Sequence, residues 1–212
     1  MENFQALNKE HEEKEIILRN DYPRDSEWGM PIIKKSNVDI SKIQLISADH
    51  VRISANPADV NKTIHFFLMD NKLDRFYNDP KNYIERFSQY QNVLSPDYSL
   101  YTNMALPIQI CNTFKNRYCG ACWQNYGLSV IPTVSWSTSE SYRFCFGGIE
   151  YGSVVAISTV GCRNKATKRS FLDGYFFMKE KINPHQVLCY GKAYPEMGDE
   201  VILFRYRGFR KE

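Results

Sequence analysis

The sequence predicts an α/β fold in which strand–helix repeats form a mostly parallel sheet, either open or a partial barrel of the triosephosphate-isomerase type. Short apolar runs such as "VVAI" at 154–157 are typical of strands that are buried on both faces. Segments with helical spacing of apolar residues alternate with these runs about four times. Such alternation indicates parallel strands that are joined by right-handed crossovers.

The elements follow an irregular N-terminal arm over residues 1–40, and we expect residues 41–212 to form a single α/β domain. Apolar runs predict strands at 42–48, 63–70, 92–97, 128–136, 153–159, 185–191 and 200–206. Helical spacing predicts helices at 79–90, 105–127 and 164–182. Asp79 and Pro80 are typical of a helix start, and Gly127 of a helix end. Pro132 inside a strand indicates a sheet edge or a bulge.

Composition excludes some classes of protein and leaves others open. The 212 residues carry a net charge of +3 and have a pI near 8.4, which is compatible with an acidic partner. No apolar run approaches the roughly 20 residues that a membrane helix needs, so we expect no membrane association. The N-terminus, "MENFQALNKEHEEKE", is too polar and acidic for a signal or transit peptide. We therefore expect a cytoplasmic protein, whose oligomeric state the sequence does not indicate.

The six cysteines include a C-x-x-C motif, "CGAC" at 119–122. A zinc site would need a second pair or suitably spaced histidines, and the four histidines are scattered singly. A redox motif would place its thiolate at a helix N-terminus, whereas "CGAC" lies in the middle of a predicted helix. We interpret these cysteines as small buried side chains that bind no metal and form no disulfide.

Ligands bind at the carboxyl ends of the strands in both architectures, and this rule selects the candidate site. Asp70 and Asp97 are the candidate catalytic residues, as general base or weak metal ligand. The alternative for each carboxylate is a cap of a turn or of the following segment. Trp136, Ser137, Thr159, Tyr190 and Lys192 also end strands and are candidate ligand-binding residues.

The stretch "STVGCRNKATKR" at 158–169 leads from a strand into a helix that begins with cations. Gly161 lets the backbone approach a ligand closely, and free N–H groups near Asn164 and Lys165 favour an anion. Arg163 and Lys165 add positive charge there, and Lys192 could reach the same anion. We expect Lys168 and Arg169 to face solvent. The alternative is an ordinary basic helix start; if nucleic acid binds, the tail cations Arg205, Arg207, Arg210 and Lys211 should assist.

The predicted helix at 105–127 carries a row of amides, Gln109, Asn112 and Asn116, at positions i, i+3 and i+7. A solvated face is the interpretation that we slightly favour. The alternative is a row that hydrogen-bonds to loops or to a ligand. Gln109 lies closest to the "SPDYS" turn and is the candidate ligand-binding residue of the three.

Familiar catalytic motifs are missing from the sequence. It contains no G-x-x-x-x-G-K-[ST], no H-E-x-x-H and no G-x-S-x-G. No cofactor is therefore implied, and whether the protein is an enzyme stays open.

Four blocks resemble the domain-of-unknown-function family 4417, which occurs in bacteria, archaea, phages and mobile elements. They are "NVLSPDYSLY" (92–101), "MALPIQICNTFKNRYCGACWQNYGLSVIPTVSW" (104–136), "FCFGGIEYGSVVAISTVGC" (144–162) and "KINPHQVLCYGKA" (181–193). The resemblance covers roughly residues 62–193. It includes the "SPD-aromatic-S-x-Y" turn, the Gln109, Asn112, Thr113 and Arg117 pattern, and the "T-x-G-C" turn followed by lysines.

This chain departs from the family pattern at two places. Trp136-Ser137 stands where the family has Trp-Gly-Asp, so the resemblance implies no metal ligand there. The "CGAC" cysteines are absent from the family pattern, which favours a structural role for them. The resemblance implies no activity, but it implies an association with phages and mobile elements, where nucleic-acid work is common.

Three functional hypotheses follow from these observations. The first is a phage- or mobile-element-associated protein that binds a phosphate-bearing ligand, nucleic acid or nucleotide, at the carboxyl edge of the sheet. The second is an enzyme that acts on a small phosphorylated substrate. The third is a non-catalytic protein-interaction module.

Overall fold

The computed structural model describes residues 18–52, 54–162 and 164–204. Seven strands lie in these residues: β1 (Leu45–Ser47), β2 (Thr63–His65), β3 (Asn92–Leu94), β4 (Val130–Ile131), β5 (Val155–Ser158), β6 (Val187–Tyr190) and β7 (Val201–Phe204). Four α-helices lie wholly within them: α1 (Asp70–Asn78), α2 (Ile84–Phe87), α3 (Leu106–Asn125) and α4 (Lys165–Ile182). Single 3₁₀ turns occur at Lys81–Tyr83, Ser139–Arg143 and Pro195–Met197.

The strands form two sheets in which every pairing is parallel. One sheet has the order β1-β2-β3-β4 and the other β5-β6-β7. A parallel bridge between Thr133 and Ala156 joins them, with Ala156 N donating to Pro132 O at 2.9 Å. Spatial order therefore equals chain order, and the sheets stay open rather than closing into a barrel. This confirms the predicted α/β fold with parallel strand–helix repeats.

Pro132 explains why β4 is shorter than the predicted strand at 128–136. Proline has no N–H to donate to a ladder, so regular pairing with β3 stops at Ile131. The carbonyl of Pro132 and the N–H of Val134 then bond to Ala156 instead. The chain thus changes its hydrogen-bonding partner from β3 to β5 at this proline. Such an interruption of regular pairing is typical of proline inside a strand.

The core consists of two apolar clusters. The first packs α1, α2 and α3 against the four-stranded sheet and includes the buried side chains Ile64, Leu73, Phe87 and Trp123. The second packs α4 against the three-stranded sheet and includes Phe171, Tyr175, Met178, Val187 and Cys189. Burial of such large side chains contributes about 1.5–3 kcal/mol each, which makes these clusters the main source of stability.

Two predicted elements differ from the structure. The strand predicted at 63–70 is wrong beyond His65, because the chain turns at Phe66–Leu68 and α1 begins at Asp70. The helix α1 was not predicted from the sequence, although its buried residues Leu73 and Phe76 lie one turn apart. The helix predicted at 79–90 is shorter, with a 3₁₀ turn leading into α2. Asp79 does cap this segment, since its Oδ1 accepts a bond from Asn82 N at 3.2 Å.

Residues 18–40, the described part of the predicted arm, contribute buried side chains to the core. Tyr22 and Ile33 belong to the first cluster, and Met30 belongs to the second. Gly120 in α3 permits this contact, because a Cβ at that position would overlap the side chain of Ile33. Residues 1–17 lie outside the described residues.

Candidate functional site

The predicted site residues lie at one edge of the sheets but not in one cavity. Because all the strands are parallel, the segments that follow β3, β4, β5 and β6 emerge on the same side. These segments carry Asp97, Trp136, Thr159 and Tyr190, as predicted. Their side chains divide among three clefts, which we call the lysine cleft, the carboxylate cleft and the aromatic cleft.

The lysine cleft has a volume of about 920 Å³ and lies between the turn at 159–162, the start of α4 and the segment 191–195. Lys165, Lys168 and Lys192 line it, and no aspartate or glutamate is among its lining residues in the described part of the chain. Its other lining residues are Thr159, Val160, Gly161, Cys162, Asn164, Gly191, Tyr194, Pro195 and Leu203. The cleft therefore brings together most of the anion-binding residues predicted from the sequence.

Local hydrogen bonds shape this cleft. Thr159 Oγ1 accepts a bond from Lys192 N at 2.7 Å, which ties the turn after β5 to the segment after β6. Gly191 has a φ of 127°, and a Cβ there would overlap Thr159 Oγ1, so only glycine allows this approach. Gly161 has a φ of 104° and turns the chain toward α4. The buried hydroxyl of Thr159 therefore positions Lys192 through its backbone.

The start of α4 is capped by its own residues. Asn164 Oδ1 accepts a bond from Thr167 N at 2.9 Å, and Asn164 N donates to Thr167 Oγ1 at 3.1 Å. This capping box satisfies two backbone donors and fixes the helix start against the turn at Gly161. The side chain of Asn164 is therefore engaged in capping, while Lys165 is exposed at the cleft.

We predicted that Lys168 faces solvent, but its side chain contacts the segment that follows β6. Its Nζ lies 2.7 Å from Glu196 Oε1 and 5.0 Å from the centre of the Tyr194 ring. Both partners lie in the segment that follows β6, so this pair closes one side of the lysine cleft. Arg163 and the tail cations Arg205, Arg207, Arg210 and Lys211 lie outside the described residues.

The carboxylate cleft, of about 380 Å³, adjoins the lysine cleft, and the two share the turn Val160–Cys162 as a wall. Asp97, Ser135, Trp136 and Ser137 line its other sides. Asp97 Oδ1 accepts a bond from Ser135 Oγ at 2.6 Å. Burial and, to a smaller extent, the negative charge of Asp70 together raise the pKa of Asp97 to about 7, against the opposing effect of the bond from Ser135. Asp97 can therefore gain and release a proton near neutral pH.

Asp70 occupies a different position from the one predicted. It does not end a strand but is the first residue of α1, where a carboxylate is favoured by the helix dipole. Its Oδ1 accepts bonds from Ser99 N at 3.1 Å and Ser99 Oγ at 2.9 Å. Asp70 is not among the residues that line the carboxylate cleft in the described part of the chain. This differs from the alternative that we gave for Asp70, a cap of the segment that directly follows it, because its partner Ser99 lies 29 residues further along the chain.

The solvated amide face predicted for α3 is wrong. Gln109, Asn112 and Asn116 are all buried and bond to loops at the carboxyl edge. Gln109 donates to Met104 O at 2.8 Å and accepts from Ser137 Oγ at 2.6 Å. Asn112 donates to Ser99 O at 2.9 Å. Buried amides are stable only with such partners, so these side chains hold the loops of the edge in place.

Trp136 closes the carboxylate cleft against α4. Its indole Nε1 donates to Phe171 O at 3.2 Å, and its ring lies 4.9 Å from the Phe171 ring. Gly174 allows this packing, because a Cβ on that glycine would overlap the indole. The neighbouring Ser137 is buried and bonded to Gln109. Both residues are thus firmly positioned at the wall of the cleft.

Tyr190 points away from the other candidates, into the aromatic cleft. This third cleft has a volume of about 970 Å³ and was not predicted from the sequence. His50, Arg52, His65 and Phe67 line it together with Tyr190. The histidine and aromatic residues of "IHFF", at the end of β2, were a signal that could have indicated it.

Within the described ranges, no group of three or more histidine, cysteine, aspartate or glutamate side chains is arranged to hold a metal ion. Cys119 and Cys122 are both buried in α3, and burial raises the pKa of both thiols. None of the helices in the described part of the chain has the length and apolar character that crossing a membrane requires.

The chain is similar to two phage proteins. It is 39% identical over 130 residues to the Gene 1 protein of Mycobacterium phage L5, a match that covers 61% of this chain and 57% of that protein. It is 30% identical over 178 residues to the Gene 1 protein of Mycobacterium phage D29, covering 84% of this chain and 65% of the relative. The chain thus spans less than two thirds of the length of these relatives.

No solved structure matches the chain significantly. The model of one family, described as Domain of unknown function (DUF4417), matches residues 22–207, which include all three clefts. Over this range the chain belongs to the phage-associated DUF4417 family.

Proposed function

We propose that the protein binds a phosphate-bearing ligand, nucleic acid or nucleotide, in the lysine cleft at the carboxyl edge of its sheets. The observation that carries this proposal is the convergence of Lys165 and Lys192, from two separate segments, on a cleft without acidic lining residues in the described part of the chain. Lys168 also lines the cleft, and its charge is partly balanced by Glu196. Like charges that converge repel one another, and a bound anion offsets this repulsion.

The backbone around the lysines supports the same ligand. The start of α4 points its positive dipole end at the cleft, and Gly161 leaves the backbone of the turn open to close approach. The bond from Lys192 N to Thr159 Oγ1 holds the two lysine-bearing segments together before a ligand arrives. A phosphate would therefore meet two lysine-bearing segments whose backbones are already positioned.

The test is binding of a fluorescently labelled single-stranded oligonucleotide, a duplex and a nucleoside monophosphate at low salt. The double variant Lys165→Ala/Lys192→Ala should weaken binding of the preferred ligand about tenfold, equivalent to about 1.4 kcal/mol. Lys34→Ala/Lys181→Ala is the matched control, because it removes two lysines that do not line the cleft. Equal affinity of the two double variants would show that the lysine cleft is not the binding site.

A second candidate function, turnover of a small phosphorylated substrate, is supported by Asp97. Its pKa of about 7 suits a general acid or base, and its cleft shares a wall with the lysine cleft. A substrate phosphate held by the lysines would thus lie beside a group that can transfer a proton. Phosphate release from a panel of phosphate esters, with and without Mg²⁺, tests this function. Activity that survives Asp97→Asn would exclude the assigned role.

A further inference from the structure

The aromatic cleft has a volume of about 970 Å³ and is lined by stacked rings. The rings of Phe67 and Tyr190 lie 4.3 Å apart at their centres, with planes inclined by only 5°. The His65 ring lies 5.2 Å from Tyr190 and 5.6 Å from Phe67. All three line the cleft, so each presents part of its surface to it.

This ring cluster is held in place by the fold. His65 ends β2 and Tyr190 ends β6, in different sheets, so the rings join the carboxyl ends of strands that are not neighbours. His65 is buried, and its Nδ1 lies 3.4 Å from Phe67 N. A flat aromatic surface that is already ordered binds another ring at a smaller entropy cost than a mobile one.

The charges around the rings leave the cleft without strong repulsion toward an electron-rich ligand. Burial lowers the pKa of His65 to about 4, so its ring is neutral at pH 7. Of the acidic lining residues, Asp49 pairs with Lys72 and Arg75, and Asp59 pairs with Lys62. Arg52 and Asn56 also line the cleft and offer hydrogen-bond donors at its wall.

The aromatic and lysine clefts both take lining residues from the end of β6. Tyr190 lines the first, and the next two residues, Gly191 and Lys192, line the second. The Cα atoms of Tyr190 and Lys192 are at most about 7 Å apart, since two residues of chain span no more. This proximity favours one extended ligand whose adjacent parts occupy both clefts.

We propose that the aromatic cleft holds an unpaired base of a single-stranded nucleic acid, stacked on the outer face of the Phe67–Tyr190 ring pair, while a neighbouring phosphate lies in the lysine cleft. This inference rests on the proposed function and gives its ligand class. Alternation of aromatic surfaces with cationic grooves is the common means of binding single strands without sequence preference. A duplex can place a base in the cleft only by extruding it, which costs the energy of unpairing and unstacking that base.

The experiment measures fluorescence anisotropy of labelled DNA and RNA strands of about 12 nucleotides, of a matched duplex, and of a strand with abasic positions. The intact single strands should bind roughly tenfold more tightly than the abasic strand and the duplex. Equal affinity for the intact and the abasic strand would overturn the inference, because phosphates alone would then account for binding.

Variants of Tyr190 localise the stacked base. Tyr190→Leu should lower single-strand affinity roughly tenfold, whereas Tyr190→Phe, which keeps the ring, should bind like the unaltered protein. Tyr151→Leu removes an exposed tyrosine outside the three clefts and is the matched control. Unchanged affinity of a folded Tyr190→Leu would contradict the assignment, as would equal losses in the Leu and Phe variants. If Tyr190→Leu does not fold, the difference in affinity between intact and abasic strands tests whether a base is stacked in the aromatic cleft.

The two proposals fail in different ways. Single-strand binding that is unaffected by Lys165→Ala/Lys192→Ala overturns the proposed function. Binding that needs the lysines but does not distinguish intact from abasic strands overturns only the stacked base. Absence of binding to every strand and duplex, with a nucleoside monophosphate still bound, limits the ligand to nucleotides and also overturns the stacked base.

Discussion

Asn116 and Arg117, consecutive residues of α3, both donate to the carbonyl oxygen of Thr133, at 3.1 and 3.0 Å. Asn116 also accepts a bond from Ser95 Oγ at 2.9 Å, and Arg117 also donates to the carbonyls of Cys145 and Gly147. Both side chains are buried. One turn of a helix therefore holds the segments that follow β3 and β4, which line the carboxylate cleft, and also the segment that precedes β5.

Asn116→Ala should lower the free energy of unfolding by about 2–4 kcal/mol, because Pro96 O loses a donor and Ser95 Oγ loses an acceptor inside the core. Urea unfolding measures this change. Asn125→Ala, at the exposed end of the same helix, is the control and should change stability by less than about 0.5 kcal/mol. Similar small losses in both variants would show that the buried network contributes little.

Gly174→Ala should destabilise the protein by about 1–3 kcal/mol, although alanine is the better helix former. The added methyl group would overlap the Trp136 indole and push it away from α4. Denaturant unfolding measures the loss, and tryptophan fluorescence reports the displaced ring. In a Trp136→Leu background the same substitution should be neutral or stabilising. An equal loss of stability in both backgrounds would show that the added methyl group does not clash with the Trp136 indole.

Asp97→Asn should stabilise the protein at pH 8.5, by up to about 4 kcal/mol, and have little effect near pH 4. Because the pKa of Asp97 is raised to about 7 in the folded state, the folded protein binds more protons than the unfolded chain between about pH 4 and 7. The stability that Asp97 contributes is thus present below pH 4 and is lost as the pH rises through 7. Urea unfolding of both proteins across this range measures the difference. A difference that does not change with pH would contradict the raised pKa.

Salt dependence of nucleic-acid binding should report the lysines of the cleft. The slope of log affinity against log salt concentration should fall by about 1 for each lysine that contacts a phosphate. Lys165→Ala/Lys192→Ala should therefore reduce the slope by about 2, whereas Lys34→Ala/Lys181→Ala should leave it unchanged. Equal slopes of log affinity against log salt concentration for both double variants would mean that Lys165 and Lys192 contact no phosphate.

The sequence by itself determined the order of the elements and the edge at which the candidate residues lie. Apolar runs and helical periodicity are local properties, so they identified β5, β6, α3 and α4 without knowledge of their neighbours. Parallel topology followed from their alternation, and it placed the segments after the strands on one side. The short helix α1 was missed because its apolar residues are few and it directly follows a stretch that reads as a strand.

Only the tertiary structure decided which face of α3 is buried and how the edge divides into clefts. Gln109, Asn112 and Asn116 form a polar row that resembles a solvated face, and their partners Ser137, Ser99 and Thr133 come from distant segments. Likewise, the pKa of Asp97 depends on burial and on Ser135, and the ring cluster depends on the curvature that brings β2 and β6 together. Hydrogen bonding and desolvation depend on which residues are close in space, and the separation of two residues in the sequence does not show whether they are close in the fold.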